Sequence, residues 1–223
     1  MARVAKGGPQ ERGVEAVDRA LSLLAAFREG DGPLTLAELA ARTGLYKSTI
    51  LRLSVSLRNH GYLRRLADGR YHLGPEPLRL AHLYQRSFRL AEVVVPALRR
   101  LSEATGETAA FYIRDGDSRI CLHRVEPSRT VRATAIEGER MRLDRGAGGK
   151  VFLAFDDPPA ARFVKIRQAL CAVSFGERNP ELGSIACPVF GVMGVLSGAL
   201  NVSGPRERMT PAALDRIKPQ IFE

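Results

Sequence analysis

The sequence lacks a long apolar run. No run of about 18 consecutive apolar residues, the length of a membrane-spanning helix, occurs in its 223 residues. The N-terminus is polar and contains Pro and Gly, so it does not have the apolar core of a secretory signal. These absences predict a soluble cytoplasmic protein with a flexible N-terminus over residues 1–12 and no membrane partner.

Cysteine and histidine are few and scattered. Cys121, Cys171 and Cys187 form no C-x-x-C pair, their number is odd, and the four histidines stand at no ligand spacing to them. A disulfide framework and a structural zinc site are therefore not expected. We expect each cysteine to be a small buried apolar residue, and we expect neither a metal nor a cofactor.

Common catalytic motifs are also missing. The sequence contains no G-x-S-x-G elbow and no H-E-x-x-H pair. A phosphate-binding loop ending at Lys150 needs glycine at position 144 and Ser or Thr at position 151, where Asp144 and Val151 stand. A nucleotide-binding loop is excluded, and an enzyme acting on a small acid is a less favoured alternative.

Acidic residues are outnumbered, 24 against 34 Lys and Arg, for a net charge of +10. Residues 1–90 hold 15 basic and 8 acidic residues (+7), whereas residues 91–223 hold 19 and 16 (+3). A basic segment attracts DNA phosphates. An arginine-rich surface can also reflect genome composition, so charge alone leaves DNA binding open.

The first third shows two helices with clear boundaries. Apolar spacings of three and four predict an amphipathic helix of about four turns that ends before Gly30. Its inner residues are Val14, Val17, Leu21, Leu24 and Phe27. A second helix is predicted to begin at Thr35, which forms a capping box with Glu38, and to end at Gly44, where a left-handed residue permits a sharp turn.

A third helix follows at once. Ile50, Leu53 and Leu57 line its inner face, and Ser54 is unexpectedly polar beside them. The outer and leading face carries Tyr46, Lys47, Ser48, Thr49 and Arg52. Two short helices, a glycine turn and a polar leading face are typical of a helix-turn-helix.

A basic hairpin completes the pattern. Residues 61–74 contain two β-prone segments around Asp68-Gly69, which predicts a wing able to reach sugar-phosphate or a minor groove. We predict a winged helix-turn-helix domain over residues 13–74. Its expected DNA contacts are Thr35, Tyr46, Lys47, Ser48, Thr49, Arg52, Arg64, Arg65 and Arg70. The alternative is an ordinary small helical domain whose arginines only solvate its surface.

The remaining sequence predicts a linker helix over residues 75–90 and a second domain over residues 91–223. A helix over 93–105 and strands over 108–114, 119–124 and 130–136 indicate an α+β fold. The glycines of residues 146–149 are either a plain turn at a helix start or a turn whose free amides suit a carboxylate.

Residues 36–50 (LAELAARTGLYKSTI) and 69–74 (GRYHLG) resemble the isocitrate-lyase-regulator (IclR) family of transcriptional regulators. The resemblance continues at residues 148–154, 185–190 and 198–205. It implies a GAF-like α/β effector-binding domain around an antiparallel sheet, dimerisation through the DNA-binding domain and often a dimer of dimers. The implied function is sequence-specific binding of an operator, as repressor or activator, controlled by a small carboxylic or aromatic metabolite.

The resemblance also assigns a pocket. It implies that Met141 and Leu143 form a wall, that amides near Ala147 and Gly148 hold an anion, and that Glu177 stands near an acidic position of the family. The implied polar contacts are Ser184, Asn201 and Ser203. For Asn201 and Ser203, burial against the backbone without a ligand stays an open alternative.

Three departures from the family pattern stand out. Tyr46 replaces a small residue or proline, Ser54 replaces an apolar residue, and the segment between Phe155 and Cys171 is about half the family length. The short segment motivates an alternative function, a DNA-binding dimer without a ligand. In the favoured function, an acid bound in the second domain alters domain packing across the linker helix and thereby DNA affinity.

Overall fold

The computed structural model describes residues 13–28, 30–87, 90–134, 136–191 and 193–222, and the side chains of 85–87 are not described. The predicted flexible N-terminus, residues 1–12, lies outside them. The chain divides into two compact units, Met1–Tyr84 and Gln85–Glu223. None of the described helices is long and apolar enough to cross a membrane.

The first unit is the predicted winged helix-turn-helix. Its elements are α1 (Glu15–Ala25), α2 (Leu36–Thr43), α3 (Lys47–Asn59), β1 (Leu63–Arg65) and β2 (Tyr71–Leu73). The two strands form an antiparallel hairpin. The capping box is present, because the Glu38 amide donates to the Thr35 hydroxyl at 3.2 Å and the Thr35 amide donates to the Glu38 carboxylate at 2.7 Å. Gly44 ends α2 at φ 70°.

The core of this unit lies where the three helices meet the hairpin. Fully buried side chains come from every layer: Leu23, Leu39, Ile50, Leu63 and Tyr71. Short helices gain most of their stability from such burial, because isolated helices of this length are marginal in water. The core therefore sets the orientation of α3.

The predicted inner stripe of α1 was wrong in its first half. The helix has 11 residues, about three turns, and Val14, Val17 and Leu21 are exposed. The buried stripe contains Leu23 and Ala26, because only the C-terminal half of α1 contacts the cluster formed with α2 and α3. The apolar residues of α1 thus form two stripes.

The second unit is an α+β domain, as predicted. Helix α4 (Glu76–Ser87) begins in the first unit and spans the boundary between the units. The helices of the second unit are α5 (Leu90–Thr105), α6 (Ala147–Ala154), α7 (Val164–Ala169) and α8 (Pro211–Phe222), with a 3-10 helix at Ala161–Phe163. Its strands are β3 (Thr108–Asp115), β4 (Ser118–Val125), β5 (Arg140–Arg142), β6 (Ala172–Phe175), β7 (Leu182–Phe190) and β8 (Leu196–Pro205). These strands form one antiparallel sheet in the order β5-β4-β3-β8-β7-β6.

The two faces of this sheet differ in their cover. Phe111, Ile185 and Val202 belong to one apolar cluster with residues of α5 and α8. Tyr112 and Ala199 belong to a second cluster with Val151 and Phe152 of α6. Because neighbouring residues of a strand point to opposite faces, the α6 face also carries Asn201 and Ser203, which follow Ala199 at steps of two.

The predicted strand over residues 130–136 was wrong. The third strand of this region is β5, and the described part of the predicted segment, residues 130–134 and 136, contains no strand. Its backbone carbonyls accept from side chains: Val131 from Arg208 at 2.9 Å, Ala133 from Thr108 at 2.7 Å and Thr134 from Arg178 at 3.1 Å. Side-chain donors thus satisfy the carbonyls that a neighbouring strand would otherwise pair.

Ser54 provides a test of packing in the first unit. Its side chain is 2% exposed, and its hydroxyl has no hydrogen-bond partner among the described residues. We expect Ser54→Ala to stabilise this unit by about 1 kcal/mol more than Ser56→Ala does, because only the first change removes an unsatisfied buried hydroxyl. Ser56 lies exposed on the same helix and corrects for helix propensity. Amide hydrogen exchange in α3 of the full chain measures both, and an equal effect contradicts the burial argument.

Candidate functional site

The leading face of α3 is open to solvent. Tyr46 precedes the helix and is 84% exposed, Lys47, Ser48 and Arg52 are exposed, and Thr49 is half-buried. The first turn of α3 contains no acidic residue. A helix N-terminus already attracts anions through its free amides and dipole, and Lys47 adds a positive charge there. This end of α3 suits a phosphate or an acceptor on a base edge.

The hairpin holds its three arginines differently. Arg64 is exposed and takes part in no ion pair among the described residues. Arg65 lies over the Tyr71 ring, with 5.9 Å from its guanidinium carbon to the ring centroid. Arg70 donates from Nε to the Asp68 carboxylate at 2.7 Å, which lowers the pKa of Asp68. Arg64 and Arg65 are therefore the more available cations of the wing.

Thr35 has a structural use that the prediction of a DNA contact did not include. Its hydroxyl donates to the Glu38 carboxylate at 2.7 Å and accepts from the Glu38 amide. A DNA contact by this hydroxyl has to share or break those bonds. Its placement before α2 leaves it exposed, so it stays a candidate phosphate contact.

The second unit contains a cleft between α6, the sheet and the loop after β6. Seven of the eight residues assigned by resemblance line it: Met141, Ala147, Gly148, Glu177, Ser184, Asn201 and Ser203. Leu143 does not, since it packs into the apolar cluster with Val151 and Phe152. The sequence analysis did not identify seven further lining residues, which are Tyr112, Arg119, Ser174, Arg178, Asn179, Leu182 and Gly183. No local motif marks them, because strand pairing brings them here.

The sheet supplies a row of hydroxyl groups. In the strand register, Ser174 of β6 stands opposite Ser184 of β7, which stands opposite Ser203 of β8. Asn201 lies two residues before Ser203 and is 4% exposed. Among the described residues, none forms a hydrogen bond with the side chains of Ser184, Asn201 or Ser203. The side chains of Asn201 and Ser203 thus bond to no backbone group among the described residues.

Glu177 occupies the entrance of α6. Gly146 precedes α6 with a positive φ of 81°. Its amide donates to Glu177 Oε2 at 3.0 Å, and Lys150 pairs with the other carboxylate oxygen. Burial raises the pKa of Glu177, but the bonds from Lys150 and Gly146 outweigh it and bring the pKa below its ordinary value. Glu177 is thus an internal anion at this helix end, next to the Ala147 and Gly148 amides.

Arg119 is the buried cation of the cleft. It is 4% exposed, donates from Nη1 to the carbonyls of Arg142 at 2.5 Å and Arg145 at 2.8 Å, and lies over Tyr112 with 5.4 Å from the guanidinium carbon to the ring centroid. Burial lowers the pKa of Arg119 and raises that of Tyr112. The cleft thus combines one buried positive charge, helix amides and neutral hydroxyl and amide groups.

The free space in the cleft is small, about 40 Å³. A single water needs roughly 10–15 Å³ in the same measure, so the space takes about three water-sized groups. A ligand of a few non-hydrogen atoms fits without rearrangement. Among the described residues there is no group of three or more His, Cys, Asp or Glu placed to hold a metal ion.

Family models match both units. The IclR helix-turn-helix domain matches residues 16–67, and the C-terminal domain of bacterial IclR transcriptional regulators matches residues 82–162 and 160–223. The chain belongs to the IclR family. Members of this family are transcriptional regulators that bind DNA and often a small-molecule effector.

Individual relatives agree along nearly the whole chain. This IclR-family chain is 32% identical to the transcriptional regulator BhcR of Paracoccus denitrificans, over 97% of this chain and 87% of the relative. The structure of an IclR-type regulator from Silicibacter sp. TM1040 is 29% identical with a TM-score of 0.78, over 93% of this chain and 92% of that one.

A third similar structure contains a bound ligand. An IclR homologue of Microbacterium hydrocarbonoxydans, crystallised with 4-hydroxybenzoate, shares the fold at a TM-score of 0.78 and 20% identity, over 93% of this chain and 96% of that one. The family match in this unit is split at residues 160–162. That is the segment where the sequence has fewer residues than the family pattern, and the structure places a 3-10 helix and the six-residue α7 there.

Replacing Glu177 tests its role at the α6 entrance. We expect Glu177→Gln to destabilise the second unit by about 1 kcal/mol at pH 7, since the variant loses an anion at a helix N-terminus. A carboxyl with a lowered pKa stabilises the folded state above its unfolded pKa and stops doing so as pH falls through the folded value. The difference between wild type and variant should therefore shrink as the pH falls below the unfolded pKa of about 4.3, and vanish once the pH is below the lower pKa of the folded state.

Glu181→Gln is the control for that measurement, because Glu181 is exposed and forms no ion pair among the described residues. Thermal unfolding of both variants at pH 7 and at low pH compares them. A Glu177→Gln effect that does not depend on pH contradicts the electrostatic explanation.

Proposed function

We propose that this protein is an operator-specific regulator whose DNA affinity is set by a short carboxylic acid bound in the cleft of the second unit. The cleft itself supports an acid as the ligand. In it, a buried arginine and a helix N-terminus face hydroxyl and amide groups that have no protein partners among the described residues. The lining of this cleft is mostly polar, with Met141 and Leu182 among its few apolar side chains, and it therefore suits a small polar ligand.

On the DNA side, Lys47, Ser48 and Arg52 read the major groove, with Tyr46 and Thr49 beside them. Arg64 and Arg65 of the wing contact sugar-phosphate, Arg70 does so in competition with Asp68, and Thr35 contacts a phosphate. Phosphate contacts position a protein on the duplex, whereas base contacts specify sequence. We therefore assign operator choice to α3 and general affinity to the wing.

The protein acts as a homodimer in this proposal. Val14, Val17 and Leu21 form an exposed apolar stripe on α1, next to a core that other residues of the unit already fill. Pairing of two such stripes covers them and presents two recognition helices to the two half-sites of one operator. Because the target is bacterial DNA, we infer that the protein works in the cytoplasm.

The acid of this proposal is short. The homologue from Microbacterium hydrocarbonoxydans was crystallised with 4-hydroxybenzoate, whereas the small space in this cleft, about 40 Å³, favours an acid without a ring. A short aliphatic acid fits with its carboxylate at the positive end of the cleft and its remaining atoms near the row of serines. A ligand changes DNA affinity only through its different affinity for the two DNA-binding states.

The DNA interface is tested by removing its cations. We expect Lys47→Ala with Arg52→Ala to lower affinity at least about a hundredfold for a duplex enriched from a random pool by the wild type. The reason is that both side chains lie exposed on the leading face of α3. Fluorescence anisotropy with the full chain measures this affinity.

The matched control removes the same charge elsewhere. Arg99→Ala with Arg100→Ala takes two exposed cations from α5 in the second unit. That variant should bind the duplex like the wild type at 150 mM salt, apart from a small general loss. If the α3 variant keeps wild-type sequence preference, the assigned interface is incorrect.

The effector side is tested with a panel of acids of two to five carbons. We expect at least one to raise the melting temperature of the full chain, because binding to the folded state alone stabilises it. The same acid should raise or lower the affinity of the protein for the enriched duplex. Acids that leave the melting temperature unchanged should leave this affinity unchanged as well. A panel that changes neither quantity favours the ligand-independent DNA-binding dimer.

A further inference from the structure

Arg119 of β4 is a buried cation whose Nε and Nη2 donate to no oxygen among the described residues. We propose that Arg119 is the residue that binds the carboxylate of the effector, side-on through Nε and Nη2. This inference rests on the proposed function of the cleft and adds the anchor of its ligand. None of the eight residues assigned by resemblance to the family pocket carries a positive charge.

The guanidinium nitrogens of Arg119 differ in their partners. Nη1 is used up by the carbonyls of Arg142 and Arg145. Nε is buried and has no hydrogen-bond partner among the described residues, and the contact of Nη2 is the thioether sulfur of Met141 at 3.7 Å. Nε and Nη2 share one edge of the planar group, and that edge is the fork that binds a carboxylate with two parallel bonds.

The fork of Arg119 lies beside the start of α6. The guanidinium lies against the turn that begins α6: a Cβ built on Gly146 is 3.1 Å from Nη2, and one built on Gly149 is 2.6 Å from Nη1. A helix N-terminus carries a partial positive charge. A buried cation beside it is unfavourable unless an anion joins them, so the fork and the Ala147 and Gly148 amides favour the same kind of ligand.

The protein's own carboxylates near Arg119 already have partners. Glu177 is held by Lys150 and the Gly146 amide. Asp144 pairs with Arg142 at 2.8 Å, and Glu139 pairs with Arg178 at 3.2 Å.

Among the described residues, no carboxylate forms an ion pair with Arg119. Buried charges in proteins are normally paired, because an unpaired one loses its hydration without compensation. The missing partner is therefore an anion from outside the chain. The fork accommodates a carboxylate, and the polar groups opposite it, Ser184, Asn201 and Ser203, bind the rest of the molecule.

The experiment compares acids with their neutral amides. Acetate, lactate, pyruvate and succinate, and the corresponding primary amides, are titrated into the full chain by isothermal calorimetry and thermal shift. We expect binding of at least one acid and none of its amide. Arg119→Met should weaken that acid about a hundredfold, and Arg119→Lys, which keeps the charge but not the fork, about tenfold.

Arg142→Gln is the matched control. Arg142 is an exposed arginine of β5 that pairs with Asp144 and does not line the cleft, so this variant should bind the acid like the wild type. Retained binding of the enriched duplex and a normal circular dichroism spectrum show that each variant is folded. If Arg119→Met is misfolded, Arg119→Lys and Arg119→Gln decide the question.

The outcomes separate the two proposals. Wild-type acid affinity in Arg119→Met overturns the role of Arg119 and leaves the acid sensor standing. Equal binding of an acid and its amide also overturns the role of Arg119, because a guanidinium binds a carboxylate more tightly than a neutral amide. If no acid of the panel binds the wild type, the proposed ligand class fails and Arg119 loses its role with it.

Discussion

The close contact of the start of α6 with the Leu143 carbonyl after β5 and with the Arg119 side chain of β4 is the constraint on which the cleft depends. A Cβ at Gly149 would lie 2.2 Å from the Leu143 carbonyl oxygen, so only glycine permits the approach. This approach brings the helix amides, the Arg119 guanidinium and the Glu177 carboxylate into one small volume. The electrostatics of the site follow from it, because each of these groups is charged or carries an oriented dipole.

The sheet provides the opposite wall by simple alternation. Successive residues of β3 and β8 point to opposite faces, so Phe111 and Val202 pack under α5 and α8 while Tyr112 and Asn201 face α6. A shift of one residue in this register would exchange the core and the cleft. Core packing thus also maintains the row of polar groups, because the same pairing positions both.

In the first unit, local signals and packing agree. The Thr35–Glu38 capping box, the left-handed Gly44 and the Asp68-Gly69 turn are each recognisable from neighbouring residues and are each present in the structure. The inner face of α3 was also predicted correctly, with Ile50 and Leu57 buried. The stripe on α1 was not, because the sequence contains two apolar stripes and only contact with α2 and α3 selects between them.

Contacts between near neighbours along the chain set the helix starts and ends and the hairpin turn, and these could be predicted from the sequence, as could the order of elements and the family motifs that mark Ala147, Gly148, Asn201 and Ser203. Which distant residues share the cleft depends on the folded chain. Folding brings Arg119, Ser174 and Arg178 into the cleft, leaves Leu143 in the core, and places the Glu177 carboxylate at the Gly146 amide before α6. The physical reason is that strand pairing and helix docking join residues far apart in sequence, and a buried charge shows its missing partner only when its whole surroundings are known.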